Sequence, residues 1–230
     1  MPASPFLIPP KLKDVAREIS NAADTVIQAY RDERTSGEED ITSRLVQAIE
    51  AAIQPRGRQR RTSSPRSMIG WSAKVLKTSR GVAAEERRHG ADLLAVTEIH
   101  AGGEIIAKGF LGQAKVAEPG AILSQHEWER LQSQVGLMLD LSPASFVMIY
   151  SKHYGVRFTP AIAIAGLRRR DCFDLNTLPL RQFFEWHFAC FIGDRRLDVP
   201  HIRTLDDLRS SRLLGDLEFS NVLRITLRSK

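Results

Sequence analysis

Cysteine is nearly missing from this chain. Cys172 and Cys190 are its only two, and they do not stand at the spacing of a metal-ligand pair. A disulfide framework and a structural zinc site are therefore excluded as organising devices, and a reducing compartment is the expectation. Long apolar runs are missing too. No stretch approaches the roughly 18 apolar residues of a membrane-spanning helix, so no membrane partner is expected. The first residues, MPASPFLIPPKLKD, have neither the charged start nor the long apolar core of a secretion signal, and the cytoplasm is the expected location. Aromatic residues make up 7% of the chain and form no stacking platform for unpaired bases. No segment repeats, and no recognition helix stands out.

What the chain has in excess is positive charge. Lys and Arg number 33 against 27 Asp and Glu, a formal net charge of +6, and the pI is about 9.6. That balance favours polyanionic partners. The 230 residues, 43% of them hydrophobic, suit one domain of moderate size with a real core. Arg56, Arg58, Arg60, Arg61 and Arg66 crowd residues 54–67, QPRGRQRRTSSPRS. No core can form from such a stretch, which reads as a flexible loop. Its arginines suit either nucleic-acid phosphates or plain solvation, and in a basic chain the phosphate contact is preferred.

The apolar periodicity then divides the chain. Residues 1–10 hold four prolines and read as an extended tail. From Lys11, apolar residues recur at three and four through Tyr30, which predicts a packing helix or a contact between two copies of the chain. These residues, 1–34, form a first unit. A second helix, EEDITSRLVQAIEAAI, follows a break, with Thr35 or Ser36 as its cap and acidic residues suiting its first turn. Ile41, Leu45, Ile49 and Ala52 or Ile53 make its buried stripe. Glu38 falls on that same stripe, an unusual place for a carboxylate; it and its neighbour Glu39 otherwise simply favour the helix start. Met68 to Lys77 predicts a strand. LSQHEWERLQSQVGLMLD, residues 123–140, predicts a helix opened by a Ser124–Glu127 capping box, with Gln134 beside the apolar Leu131 and Met138. SPASFVMIYS and GVRFTPAIAIAG predict two further strands, the first apolar enough to be covered on both faces. Residues 167–230 read as a C-terminal helical extension of the same domain. They hold the basic LRRRD, an aromatic-rich helix PLRQFFEWHFACFIG, a second helix TLDDLRSSRLLGDL, and a terminal VLRITLRSK with strand character. His187 and His201 stand without ligand spacing and read as structural.

The most informative stretch is His89 to Lys115, HGADLLAVTEIHAGGEIIAKGFLGQAK. Two apolar-rich runs flank Gly102-Gly103, a dipeptide that suits a two-residue hairpin turn because glycine reaches positive φ. Centring the turn there pairs Ala101 with Glu104, Leu94 with Leu111 and Asp92 with Gln113. Opposed residues share a face, and Lys115 projects from the same face as Gln113. Three polar groups then cluster at one end of an apolar hairpin, an arrangement able to hold a divalent cation and a water. The plainer alternative is an amphipathic hairpin whose Gln and Lys sit in water.

GAD, an apolar strand, a turn and an apolar strand ending in QAK resembles the core of the PD-(D/E)XK nuclease superfamily, and the Gln-x-Lys form is similar to Mrr-type restriction enzymes. The resemblance covers roughly residues 38 to 165. It implies a restriction endonuclease-like α/β/α core over residues 35–166 with a mixed central sheet, and a Mg²⁺-dependent endonuclease acting on DNA ahead of RNA, with Mn²⁺ able to substitute. Asp92, Glu38, Gln113 and the carbonyl of Ala114 would hold the metal, Lys115 would act on the attacking water and the phosphate, and Gln134 would fill the slot for a glutamine on the following helix. Glu39 and Glu86 are the reserve acidic residues, although an exposed pairing with Arg87 or Arg88 is the preferred reading of Glu86. Relatives of this kind serve in restriction, phage defence or repair, which implies a second copy of the chain or a defence subunit as partner. The alternative is a catalytically degenerate nucleic-acid-binding subunit.

Overall fold

The computed structural model describes residues 10–53, 69–77, 90–101, 103–197 and 221–229. The tail at 1–9, the loop with Arg56, Arg58, Arg60, Arg61 and Arg66, the candidate Glu86, the helix expected at 204–217 and His201 all lie outside the described residues.

Chain order runs α1 (Pro10–Arg31), α2 (Glu38–Ile53), β1 (Ile69–Lys77), β2 (Leu93–Ala101), β3 (Glu104–Val116), α3 (Gln125–Leu141), β4 (Ser145–Ser151), β5 (Gly155–Pro160), α4 (Ala161–Gly166), β6 (Leu178–Pro179), α5 (Leu180–Phe188) and β7 (Asn221–Ser229). The architecture is α/β. Among the described residues, seven strands form one mixed sheet in the order β1-β7-β2-β3-β4-β5-β6. The β2–β3 hairpin has the register that the glycine pair predicts, with Ala101 opposite Glu104 and Leu94 opposite Leu111. Gly103 takes φ +85, the left-handed conformation that made glycine the expected residue there.

Helices cover both faces because the strand residues alternate between two apolar clusters. On one face, Phe146, Met148 and Tyr150 of β4 pack with Ile41, Leu45 and Ile49 of α2, with Val15 and Ile19 of α1, and with Phe183 and Phe184 of α5. On the other, Val147 and Ile149 pack with Leu131, Val135 and Met138 of α3 and with Ile164 of α4. Strand β4 is thus buried along its whole length. β3 and β4 run parallel, and α3 makes the crossover between them. The N-terminal helix packs inside its own chain, on α2 and α5.

Three expectations need correction. First, GVRFTPAIAIAG is not a single strand: β5 ends at Pro160 and Ala161–Gly166 form α4. Ala161 and Ile164 are buried while Ile162 is 66% exposed, a three-residue spacing that belongs to a helix. Second, residues 167–230 do hold the expected aromatic helix and a strand at VLRITLRSK, but they are not merely a helical extension. They supply α5 but also β6 and β7, and β7 enters the sheet between β1 and β2, antiparallel to the first and parallel to the second. Val222 faces one core while Leu223, Ile225 and Leu227 face the other, so this strand is as fully used as β4. Third, neither Thr35 nor Ser36 occupies the cap of α2. Gly37 does, its carbonyl accepting the Ile41 N–H at 3.2 Å. The Thr35 hydroxyl donates instead to the Asp40 carboxylate, which holds that carboxyl below its usual pKa.

His187 is fully buried, and its expected structural role has a definite form. Its Nδ1 lies 3.1 Å from the Ile192 carbonyl and its Nε2 2.9 Å from the Thr97 hydroxyl. A carbonyl can only accept, so Nδ1 carries the proton and Nε2 accepts from Thr97. Beside it, the buried Lys108 ammonium donates to the Ile192 carbonyl at 2.9 Å and to the His187 carbonyl.

Candidate functional site

Asp92 sits immediately before β2, and its N–H donates to the Gly112 carbonyl at 2.9 Å. Its Oδ2 accepts two hydrogen bonds, from Gln113 Nε2 at 2.6 Å and from the Ala114 N–H at 2.8 Å. The hairpin register therefore does bring Asp92 to Gln113. Gln113 Nε2 also donates to the Ala114 carbonyl at 3.2 Å. Its amide oxygen Oε1 is buried and has no hydrogen-bond partner among the described residues. Turning the amide over would set Oε1 against the Asp92 carboxylate, two acceptors facing each other, so with no cation between them this orientation is the favoured one. A buried carbonyl left without a donor costs about 1–3 kcal/mol.

Lys115 stands two residues further along β3. Its ammonium is 2.9 Å from Glu38 Oε1 and 3.9 Å from Glu127 Oε1. The same Glu38 oxygen accepts the Val116 N–H at 3.0 Å. One carboxylate thus ties the first turn of α2 to the end of β3, and the inward phase of Glu38 on its helix has a concrete outcome. Glu39 is exposed. Glu127 does double duty. It completes the capping box of α3 with Ser124, and its carboxyl is held below the ordinary range first by hydrogen bonds from Ser124 and then by the Lys115 charge.

An open cleft of about 520 Å³ lies against this group, walled by the end of α1, the start of α2, the end of β3 and the first half of α3. Glu38, Lys115 and Gln134 line it, together with Tyr30, Val116, His126, Glu127 and Arg130. Asp92, Gln113 and Ala114 form their own hydrogen-bonded group next along the strand. Sequence reasoning had no role for Tyr30, His126 or Arg130. Tyr30 is half-buried at the end of α1 and was read only as part of its apolar stripe, while His126 and Arg130 are exposed on α3, where the one available signal was their shared helix face at i and i+4.

Gly90 brings the GAD segment against the backbone of Gln134. Its φ is +70, and a Cβ built there would lie 2.2 Å from the Gln134 carbonyl oxygen. The backbone of the GAD segment rests directly on α3, and only glycine permits that approach.

Among the described residues, no three His, Cys, Asp or Glu side chains gather as a metal-ligating group. The donors at hand are mixed: the carboxylates of Asp92 and Glu38, the Gln113 amide oxygen and the Ala114 carbonyl. All are oxygens, the donor type that Mg²⁺ and Ca²⁺ take, and they offer nothing to a thiophilic metal. Gln113 turns its Nε2, not its oxygen, to both Asp92 and the Ala114 carbonyl, so the amide oxygen joins those donors when the side chain turns over, an arrangement that a hard cation set between the facing oxygens would favour; on those terms the residues present fit such an ion.

Compared with protein-family models, with characterised proteins and with solved structures, the chain matches none. Among the described residues, no helix is long and apolar enough to cross a membrane.

Proposed function

We propose that the chain is a metal-dependent endonuclease that hydrolyses phosphodiester bonds of DNA, built on a restriction endonuclease-like core. The observation that carries this reading is the Gln113 amide: its oxygen is buried without a partner beside an Asp92 carboxylate that already accepts two hydrogen bonds. Asp92, Glu38, Gln113 and the Ala114 carbonyl are the donors that would hold Mg²⁺ or Mn²⁺. Bound there, the cation supplies a Lewis acid for a phosphoryl oxygen and a coordinated water of lowered pKa.

The remaining roles belong to the chain itself. Lys115, its side chain 14% exposed and paired with Glu38, presents a fixed positive charge at the cleft wall. That charge steadies negative charge on the phosphoryl oxygens as the water attacks. Arg130 and His126 line the same cleft and suit the phosphates on either side of the reacting one. The crossover from β3 through α3 to the parallel β4 is a general α/β feature, and it leaves the polar group at the hairpin end. Service in restriction or phage defence, with a second copy or a defence subunit as partner, extends the same proposal.

The competing reading is a nucleic-acid-binding subunit that does not cut. It draws on the scarcity of charged ligands, two carboxylates with Lys115 bonded to one of them. Plasmid nicking with Mg²⁺ against EDTA separates the two. The enzyme reading expects nicking that depends on Mg²⁺ and disappears in Asp92→Asn, with duplex affinity retained. A parent protein that shifts DNA on a gel and never nicks it is the binder. Nicking that persists in purified Asp92→Asn places any chemistry elsewhere.

A further inference from the structure

Tyr150 is buried completely inside β4, yet its phenol reaches the polar end of the molecule. Its oxygen lies 2.9 Å from the Thr42 hydroxyl, and Thr42 Oγ1 lies 2.7 Å from the Glu38 carbonyl. The proton directions follow by elimination. The Glu38 carbonyl can only accept, so the single Thr42 proton goes there. Tyr150 must then donate to Thr42. The result is a one-way relay, Tyr150 to Thr42 to the backbone of Glu38. Burial, and then the nearby Asp92 and Glu38 charges, push the phenol pKa well above its ordinary value, so Tyr150 keeps its proton and its direction.

The backbone of the same tyrosine acts on the other side of the contact. Tyr150 stands opposite Val116 in the β3–β4 register, and its carbonyl accepts the Ala117 N–H at 3.2 Å. The residue therefore holds the end of β3 through its main chain and the first turn of α2 through its side chain. Between those two anchors lies the bond from the Val116 N–H to Glu38, with Lys115 beside it. We infer that Tyr150 is a positioning residue: its hydroxyl, through Thr42, sets the height of α2 on the sheet so that the Glu38 carboxylate meets Val116 and Lys115 at the cleft. Thr42 is the adaptor, and a hydroxyl there is required because it must accept from one partner and donate to the other. The activity consequence rests on the endonuclease reading; the geometry does not.

The test uses the full chain and two independent readouts. In the metal-free protein, the Val116 amide proton reports its bond to Glu38 by NMR, with Glu38→Ala as the reference for its loss. Tyr150→Phe and Thr42→Val should both move that resonance toward the Glu38→Ala position, and Thr42→Ser, which keeps the relay, should leave it in place. In plasmid cleavage, Tyr150→Phe should lower kcat by about ten- to a hundredfold, the scale of a misplaced catalytic group, without changing duplex affinity measured in EDTA. In a Glu38→Ala background the same substitution should change nothing further. An unmoved Val116 resonance in Tyr150→Phe overturns the inference, as does a cleavage defect that persists in full without Glu38. If Tyr150→Phe does not fold, the Thr42→Val and Thr42→Ser pair makes the same comparison. A parent protein that cuts no nucleic acid defeats the enzyme reading alone, and the amide resonance still decides the positioning.

Discussion

Replacing His187 with glutamine should remove a measurable acid sensitivity from this fold. The imidazole is fully buried, hydrogen-bonded to the Ile192 carbonyl and the Thr97 hydroxyl, and ringed by Phe110, Phe183, Phe184 and Phe188. Burial first, and the adjacent Lys108 charge second, hold its pKa well below the ordinary 6.5; the Ile192 carbonyl opposes them weakly. The sign follows from which state takes the proton. Well above pH 6.5 both folded and unfolded histidine are neutral, and the group contributes no pH dependence. Below it the unfolded chain binds a proton that the native site refuses, so stability is lost as pH falls toward the depressed folded pKa. Between pH 7.5 and 5.5 the charged fraction of an unfolded histidine rises from about one-tenth to nine-tenths, which amounts to a loss of about 1.4 kcal/mol. For a chain of this size that is a fall in Tm of about 3–6 °C. The assay is urea unfolding at pH 7.5, 6.5 and 5.5 for the parent and His187→Gln. Glutamine can donate to Ile192 or accept from Thr97 but cannot titrate, and the other histidines cancel in the difference. The parent should lose about 1.4 kcal/mol relative to the variant over that range. A difference that stays flat with pH would refute the neutral, buried imidazole.

Gln113→Glu should tighten Mg²⁺ binding and retain cleavage across a Mg²⁺ titration, because a carboxylate is the better donor for a hard cation, while Gln113→Ala should lose most of it; identical behaviour of parent, Glu and Ala forms would remove Gln113 from the site. Lys115→Ala should reduce cleavage by about a hundredfold or more, as when one preorganised electrostatic partner is removed, and wild-type rates in that variant would rule out its role. Gly90→Ala should destabilise the fold by about 1–3 kcal/mol, since the left-handed φ and the Gln134 carbonyl both oppose a Cβ; an unchanged denaturation midpoint would mean that the GAD segment does not rest on α3. Serine at Arg56, Arg58, Arg60 and Arg61 should flatten the slope of log K against log salt for duplex DNA by about 0.9 for every phosphate no longer neutralised, without lowering Tm; an unchanged slope would leave these arginines as solvated residues.

The cleft has an electrostatic logic of its own. The first turn of α2 and the first turn of α3 both border it, so the partial positive ends of two helices face the region where Glu38 and Glu127 stand. Each carboxylate is engaged by backbone as well as by Lys115. Glu38 accepts the Val116 N–H, and Glu127 accepts the Ser124 N–H at 3.1 Å. Lys115 is thereby held between two fixed anions rather than left to sweep through solvent. A buried thiol stands near: burial pushes the Cys172 pKa up to about 11, with the Lys115 charge opposing the rise, so it remains a protonated, inert neighbour.

The sequence alone determined whatever depended on neighbours along the chain. The β2–β3 register followed from a glycine pair and a period of two, so Asp92 could be set opposite Gln113 by counting. The capping box at Ser124 and the buried stripe of α2 followed in the same way, and the 3.6-residue period put Glu38 on the inward side. The same local reading failed at AIAIAG, where alternating alanine and isoleucine satisfy a strand pattern and a helix equally, and packing chose the helix. Only the tertiary structure decided where β7 lies, because an apolar strand near the end of the sequence carries no signal for the pair of strands it will divide. Only the tertiary structure brought Tyr30, His126 and Arg130 to one cleft: the apolar period placed Tyr30 on the packing face of its helix, and the exposed His126 and Arg130 leave no such trace. The contact of Glu38 with Val116 and Lys115 belongs to that second kind as well: helix phase aimed the carboxylate, but the docking of α2 on the sheet, anchored by Tyr150 and Thr42 more than a hundred residues apart, set what it would touch.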